Sequence, residues 1–133
     1  METLRTGLLG VALLSLALGA GNALCADVST QRFPDVVAVA VQARGADSFD
    51  FDVTVSSPYD SAQRYADAFR AMGKDGKVFG ERVLVHDHAD EQPFTRDLYG
   101  VRIPRSVRVV VVQARDQKHG YGGKTVDVVL PGR

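Results

Sequence analysis

The three histidines of this 133-residue sequence lie in two places. His86 and His88 stand two apart in the segment 85–91, and His119 precedes a glycine-rich stretch. Residues two apart on an extended segment project to the same face, so both imidazoles of the pair can turn toward one ion. If the chain forms an antiparallel sandwich, alternate connections between strands lie at the same end, which would bring His119 to the pair. Three imidazoles together predict a zinc or copper(II) site, and the alternative is that all three are solvated loop residues.

Two tyrosines are placed to border the same end. Tyr59 lies in an earlier connection of the same parity, and Tyr121 follows the His119 segment. Their rings could form the rim of a site for a sugar or a peptide, or they could simply cover the edge of the core. An alternative role for His119 is that of a general base or a substrate contact.

Signatures of common enzyme classes are missing from the sequence. It contains no Gly-x-Ser-x-Gly elbow, no phosphate-cradling glycine loop and no cysteine-based metal spacing. We therefore predict no catalytic residues, no residues that bind an organic cofactor, and a protein that is not an enzyme.

Period-two patterns define the elements that must position these residues. Phe49, Phe51, Val53 and Val55 alternate with polar residues, which predicts a strand with one buried face. The segment 65–72 also fits one face of a short helix, but the turn at 73–76 that follows it favours a hairpin and hence a strand. With similar runs at 36–41, 77–85, 93–98, 107–114 and 125–130, the sequence predicts an all-β, seven-stranded antiparallel β-sandwich. The expected core residues are Phe49, Phe51, Val53, Phe69, Leu98, Val110, Val112, Val126 and Val128.

The N-terminal region has the pattern of a secretory signal peptide. Arg5 precedes an apolar run that ends in small residues, and Ala23 and Cys25 occupy the positions of a small-x-small cleavage site. Cleavage after Cys25 divides the chain into a signal peptide, 1–25, and a sandwich domain, 26–133, that is periplasmic or secreted. A lipoprotein anchored through Cys25 and an uncleaved helical anchor are the alternatives.

Charge gives little indication of a partner. Lysine and arginine together number 16, as do aspartate and glutamate, and the two signs are interleaved along the chain. The sequence therefore predicts no nucleic-acid partner and, after signal cleavage, no membrane partner. It does not determine the oligomeric state.

The region 98–123 resembles the fibronectin type III module. The resemblance is carried in order by Leu98, Gly100, Ile103, Pro104, the valine-rich strand, Ala114 and the glycine loop at 120–123. It implies a fibronectin type III or immunoglobulin-like sandwich. The segments 86–98 and 115–123 also resemble an uncharacterised family of small bacterial exported proteins, which implies no known activity.

Two function classes follow from these observations. The first is a non-catalytic exported binding module that engages a protein, a peptide or a glycan through loops or a sheet edge. The alternative is a small zinc- or copper(II)-binding protein that uses His86, His88 and His119.

Overall fold

Seven antiparallel strands in two sheets make up the described part of the chain, which confirms the predicted all-β sandwich. The computed structural model describes residues 30–133, so the predicted signal peptide and Cys25 lie outside the described residues. The strands are β1 (Asp35–Ala43), β2 (Ser48–Ser56), β3 (Ala66–Met72), β4 (Val78–Val83), β5 (Phe94–Arg102), β6 (Val109–Asp116) and β7 (Gly120–Val129). Within residues 30–133, no helix is long and apolar enough to cross a membrane.

The strand order shows how the two layers are connected. One sheet has the order β1-β2-β5, and the other has the order β4-β3-β6-β7. In a constant-type immunoglobulin domain the fourth strand joins the sheet of the first, second and fifth strands, whereas here β4 pairs with β3. The ambiguous segment at 65–72 is strand β3, which lies between β4 and β6 in the interior of its sheet.

The core lies between the two sheets and follows the predicted alternation. Phe49, Phe51, Val53 and Val55 of β2 are buried, and their polar neighbours on β2 face outward. Val110 and Val112 of β6 are also buried, which confirms the predicted phase of that β-branched strand. Of the expected core residues, only Val126 is partly rather than fully buried. Burying side chains of this size contributes about 1.5–3 kcal/mol each.

The glycine stretch at 120–123 is part of β7 and not the predicted loop. Gly122 pairs with Ala114, and a Cβ atom at this position would overlap the ring of Phe33. Gly123 has a positive φ of 78°, and a Cβ atom there would overlap the carbonyl oxygen of Pro34. These glycines are needed because the segment before β1 crosses closely over β7.

The strand connections gather at two ends of the sandwich. Residues 57–65, 84–93 and 117–119 form the end that carries all three histidines, which we call the histidine end. Residues 44–47, 73–77 and 103–108 form the opposite end, which we call the basic end.

Candidate functional site

The histidine end is organised by the buried carboxylate of Asp60. Its Oδ1 accepts a hydrogen bond from the backbone N–H of Ala66 at 3.0 Å, and its Oδ2 accepts one from the backbone N–H of His88 at 3.0 Å. One side chain thus holds two connections together, in agreement with the predicted parity of the loops. A buried carboxylate is stabilised by such N–H donors, and the donors are satisfied in return.

His88 is a buried residue and not a solvated loop residue. Its side chain stacks on Phe94 with a centroid distance of 4.0 Å and an interplanar angle of 13°. Its Nδ1 atom is buried and has no hydrogen-bond partner among the described residues. Burial, and after it the charges of Arg96 and His86, lower the pKa of His88 from its ordinary value, so the neutral ring is favoured.

Gln92 fixes the loop around His88. The side-chain amide nitrogen of Gln92 donates to the carbonyl oxygen of His88 at 3.1 Å and to the hydroxyl of Ser57 at 3.2 Å. The amide oxygen accepts from the backbone N–H of Ser57 at 2.7 Å. The position of His88 is therefore set by contacts within its own connection and with the connection 57–65.

His86 lies beside His88, in a connection that follows the end of β4 at Val83. The two ring centroids are 4.9 Å apart, and His86 is exposed while His88 is not. The Nδ1 atom of His86 lies 2.9 Å from the carbonyl oxygen of Asp87. Because a carbonyl oxygen can only accept, Nδ1 carries the proton, and the neutral ring keeps its lone pair on Nε2.

His119 is placed in a different contact. Its ring meets the edge of Phe33 with a centroid distance of 6.3 Å, and its backbone N–H donates to Asp116 at 2.8 Å. Residues 30–133 contain no group of three or more histidine, cysteine or carboxylate side chains placed to hold one metal ion. Zinc or copper(II) binding by all three histidines therefore stays a prediction.

Tyr59 belongs to a buried network at the same end. Its hydroxyl donates to Asp116 Oδ1 at 2.6 Å, and the guanidinium of Arg64 lies 4.0 Å from its ring centroid. Burial alone would raise the pKa of Asp116, but hydrogen bonds from Tyr59, from the His119 N–H and from Arg64 outweigh it and lower that pKa. Burial, followed by the contact with Asp116, raises the pKa of the Tyr59 hydroxyl.

Tyr121 belongs to another network, which crosses the four-stranded sheet. Its hydroxyl donates to Glu81 at 2.5 Å, and the guanidinium of Arg70 lies 3.7 Å from its ring centroid. In both tyrosines a guanidinium covers one face of the ring. Neither ring therefore offers that face to a sugar, and their role as a ligand rim stays a prediction.

The basic end contains a cleft that the sequence interpretation missed. Its volume is about 580 Å³, and it lies between the turn joining β3 to β4 and the connection joining β5 to β6. Apolar side chains, among them Phe79, Pro104 and Val107, form part of its wall. Its charged lining residues are Lys74, Asp75, Lys77 and Arg108.

The surroundings of this cleft are strongly cationic. Two smaller depressions adjoin it, of about 280 Å³ beside Arg105 and Arg108 and about 250 Å³ beside Arg102. Asp47 pairs with Arg105 at 3.1 Å, and Asp127 pairs with Lys74 at 3.6 Å. Among the described residues, no carboxylate lies within ion-pair distance of the exposed cations Lys77, Arg102 and Arg108.

The parity rule used for the histidines would have found this cluster. Applied to the connections after β1, β3 and β5, the rule predicts that Lys74 and Lys77 lie at the same end as Arg105 and Arg108. Their spread over distant segments conceals the cluster in a chain whose formal net charge is zero.

Comparisons with known proteins add one relative. A curated protein of Halomicrobium mukohataei, named "Putative lipoprotein", is 36% identical over 97 residues. The match covers 73% of this chain and 47% of that protein, so the chain spans about half the length of the relative it matches. No family model matches the chain, and no solved structure matches it significantly.

Proposed function

We propose that this protein is a non-catalytic, exported binding module that takes an acidic peptide segment of a partner protein into the cleft of the basic end. The observation that carries the proposal is the position of Lys77 and Arg108. Both cations are exposed at a concave surface and have no carboxylate partner among the described residues. Unpaired cations at a concave site attract and hold carboxylates.

Export is supported by one observation on the sequence and one on its relative. Residues 1–25 have the order of charged, apolar and small residues that is typical of a signal peptide. The relative from Halomicrobium carries a lipoprotein name, which would fit attachment outside the cytoplasm. In this proposal the sandwich is periplasmic or secreted, either free after cleavage or held by a lipid on Cys25.

A peptide fits the cleft better than a glycan. Sugars are commonly bound against open aromatic faces, and Phe79 is the one aromatic side chain that lines this cleft. The cleft instead combines cations with the apolar side chains of Phe79, Pro104 and Val107. Such a surface suits a segment in which acidic residues alternate with apolar ones.

The lining of the cleft supports binding and not catalysis. Its lining residues include one carboxylate, Asp75, and no histidine or cysteine, so no acid–base pair or activated nucleophile faces the space. The resemblance to fibronectin type III points in the same direction, since many cell-surface domains share this sandwich architecture.

Fluorescence anisotropy with a labelled peptide of alternating aspartate and leucine tests the proposal. We expect binding that weakens as salt rises from 50 to 500 mM and that Arg108→Ala weakens about tenfold, equivalent to about 1.4 kcal/mol. Lys118→Ala is the matched control, because Lys118 is an exposed cation of the histidine end. A sequence-matched lysine–leucine peptide and an oligouronate serve as competitors. Equal binding of the basic peptide, or equal effects of the two variants, would contradict the proposed site.

A second candidate function is zinc or copper(II) binding at the histidine end. The adjacent rings of His86 and His88 favour it, as does the contact of His86 Nδ1 with the Asp87 carbonyl, which leaves Nε2 free to ligate. Histidines that bind metals usually donate their other ring N–H to such a partner. His119 would be the third ligand.

Melting curves with and without each metal at pH 7.5 and 5.5 test this second candidate. We expect a rise in Tm at pH 7.5 only, because imidazoles must be deprotonated to bind a metal. His86→Ala should abolish the rise, and His119→Ala should abolish it if all three histidines are ligands. A shift that survives both substitutions would place any metal elsewhere.

A further inference from the structure

Asp75 is the one carboxylate in the lining of the cleft at the basic end. It lies in the turn that joins β3 to β4, directly after Lys74 and two residues before Lys77. The residue is exposed, and among the described residues no cation lies within ion-pair distance of its carboxylate. A negative charge therefore faces the same space as the cations of the cleft without being neutralised by them.

The turn holds this carboxylate in place. Its Oδ1 atom accepts a hydrogen bond from the backbone N–H of Lys77 at 3.1 Å. A Cβ atom at Gly73 would lie 2.6 Å from the same oxygen, so the glycine leaves the room that the carboxylate occupies. The turn uses one oxygen, whereas Oδ2 has no hydrogen-bond partner within residues 30–133.

The turn needs an acceptor at this position but not a charge. Asparagine and aspartate both form turns in which the side-chain oxygen binds a backbone N–H two residues on. The amide oxygen of an asparagine could therefore accept the Lys77 N–H as Oδ1 of Asp75 does. The negative charge of Asp75 is thus available to a ligand of the cleft.

The charges of the lining that remain free have both signs. Lys74 pairs with Asp127 of β7 at 3.6 Å. Lys77, Arg108 and Asp75 also line the cleft, and none of them has an ion-pair partner in the described part of the chain. A ligand that complements this lining carries two negative charges and one positive charge.

We infer that the segment bound in the cleft has one basic residue among its acidic and apolar residues, and that Asp75 selects it. This inference rests on the proposed binding of an acidic segment. Lys77 and Arg108 attract carboxylates, whereas Asp75 repels an acidic residue placed beside it and pairs with a basic one through Oδ2. Such repulsion discriminates against uniformly acidic segments, because specificity is a difference between two affinities.

Substituted forms of the labelled aspartate–leucine peptide test the inference. Each aspartate is replaced in turn by lysine and by serine, and anisotropy at 50 mM salt gives the Kd for wild type and for Asp75→Asn. On wild type, we expect one position at which lysine binds about threefold more tightly than serine, as for an exposed ion pair. On Asp75→Asn, the two peptides should bind equally at that position, and the unsubstituted acidic peptide should bind more tightly than it does to wild type.

The control is Asp90→Asn, which removes the same charge from an exposed residue of the histidine end. It should keep the preference for lysine, and urea unfolding should show that both variants fold. If lysine binds no more tightly than serine at any position while Arg108→Ala still weakens the acidic peptide, the inference is overturned and the proposed function stands. A preference that survives Asp75→Asn, or that Asp90→Asn removes equally, would also overturn the inference. If none of the peptides binds, both the inference and the proposed function are overturned.

Discussion

The backbone N–H of His88 donates to the Oδ2 atom of Asp60. The two residues lie in different connections and are 28 positions apart in the sequence. The same carboxylate also binds the N–H of Ala66 at the start of β3. Because both donors and the acceptor are buried, the contact fixes how the loop 84–93 enters the core. The stacking of His88 on Phe94 follows from this placement.

Asp60→Ala should lower the free energy of unfolding by about 2–4 kcal/mol, because it leaves two backbone N–H groups buried without an acceptor. Asp60→Asn should cost less, since its amide oxygen can still accept one of the two bonds. Asp90→Ala is the matched control in the adjoining loop, at an exposed carboxylate, and should change stability by less than about 0.5 kcal/mol. Urea unfolding measures all three variants. Similar losses for Asp60→Ala and Asp90→Ala would show that the buried contact contributes little.

Stability should fall as pH decreases below about 6.5, the ordinary pKa of histidine, because the folded pKa of His88 is lowered. The sign follows from proton linkage: the unfolded chain binds a proton at a higher pH than the folded chain, so acid favours unfolding. The contribution is fully present above the unfolded pKa and is lost as pH falls toward the folded pKa. His88→Phe keeps an aromatic ring on Phe94 but removes this titration. Unfolding curves between pH 7.5 and 5 should therefore have a shallower slope for the variant, and identical slopes would exclude His88 as the cause.

The fold could be predicted because its strands are local patterns. The alternation in β2 and the valine-rich run of β6 identify buried faces without tertiary information, and both patterns are confirmed. The prediction of a loop at 120–123 is wrong, because glycines suggest a loop whereas these residues belong to β7. Their real cause is the passage of Phe33 and Pro34 over β7, a contact between distant segments that local patterns do not contain.

The candidate sites could be predicted only in part. The His86–His88 pairing follows from their spacing, whereas the position of His119 against Phe33 depends on side-chain packing that the sequence does not display. The sequence predicts both tyrosines at a rim, but it does not show that Arg64 covers the ring of Tyr59 or that Arg70 of β3 covers the ring of Tyr121. The cleft of the basic end is inconspicuous in the sequence because its cations lie in separate connections of a chain whose formal net charge is zero.

Gly123→Ala should destabilise the protein strongly, by more than about 2 kcal/mol, because two costs add. Its φ of 78° is unfavourable for any residue with a Cβ atom, and that atom would overlap the carbonyl oxygen of Pro34. Gly120→Ala separates the two costs, since Gly120 has a φ of 84° but nothing within 4 Å of the added atom. Thermal unfolding should show a smaller loss for Gly120→Ala. Equal losses would mean that the segment before β1 can move away from β7 at little cost.

Arg133→Ala should destabilise the sandwich by about 2–4 kcal/mol without reducing affinity for the acidic peptide in the folded protein. The side chain of Arg133 is only 7% exposed, and its guanidinium donates to the carbonyl oxygens of Ile103 at 2.6 Å and Val107 at 2.8 Å. It also lies 4.8 Å from the ring centroid of Phe49, so its charge is used within the fold. Arg133→Lys should restore only part of the stability, because an ammonium group cannot reproduce the planar set of donors.

Arg108→Ala is the opposite case at the same end, since Arg108 is exposed and has no ion-pair partner among the described residues. It should leave the free energy of unfolding within about 0.5 kcal/mol of wild type while weakening the peptide about tenfold. Urea unfolding and peptide anisotropy on the same preparations separate the two roles. If Arg133→Ala weakens the peptide as much as Arg108→Ala does while the protein remains folded, the two arginines act together and the cleft extends to the C-terminal residue.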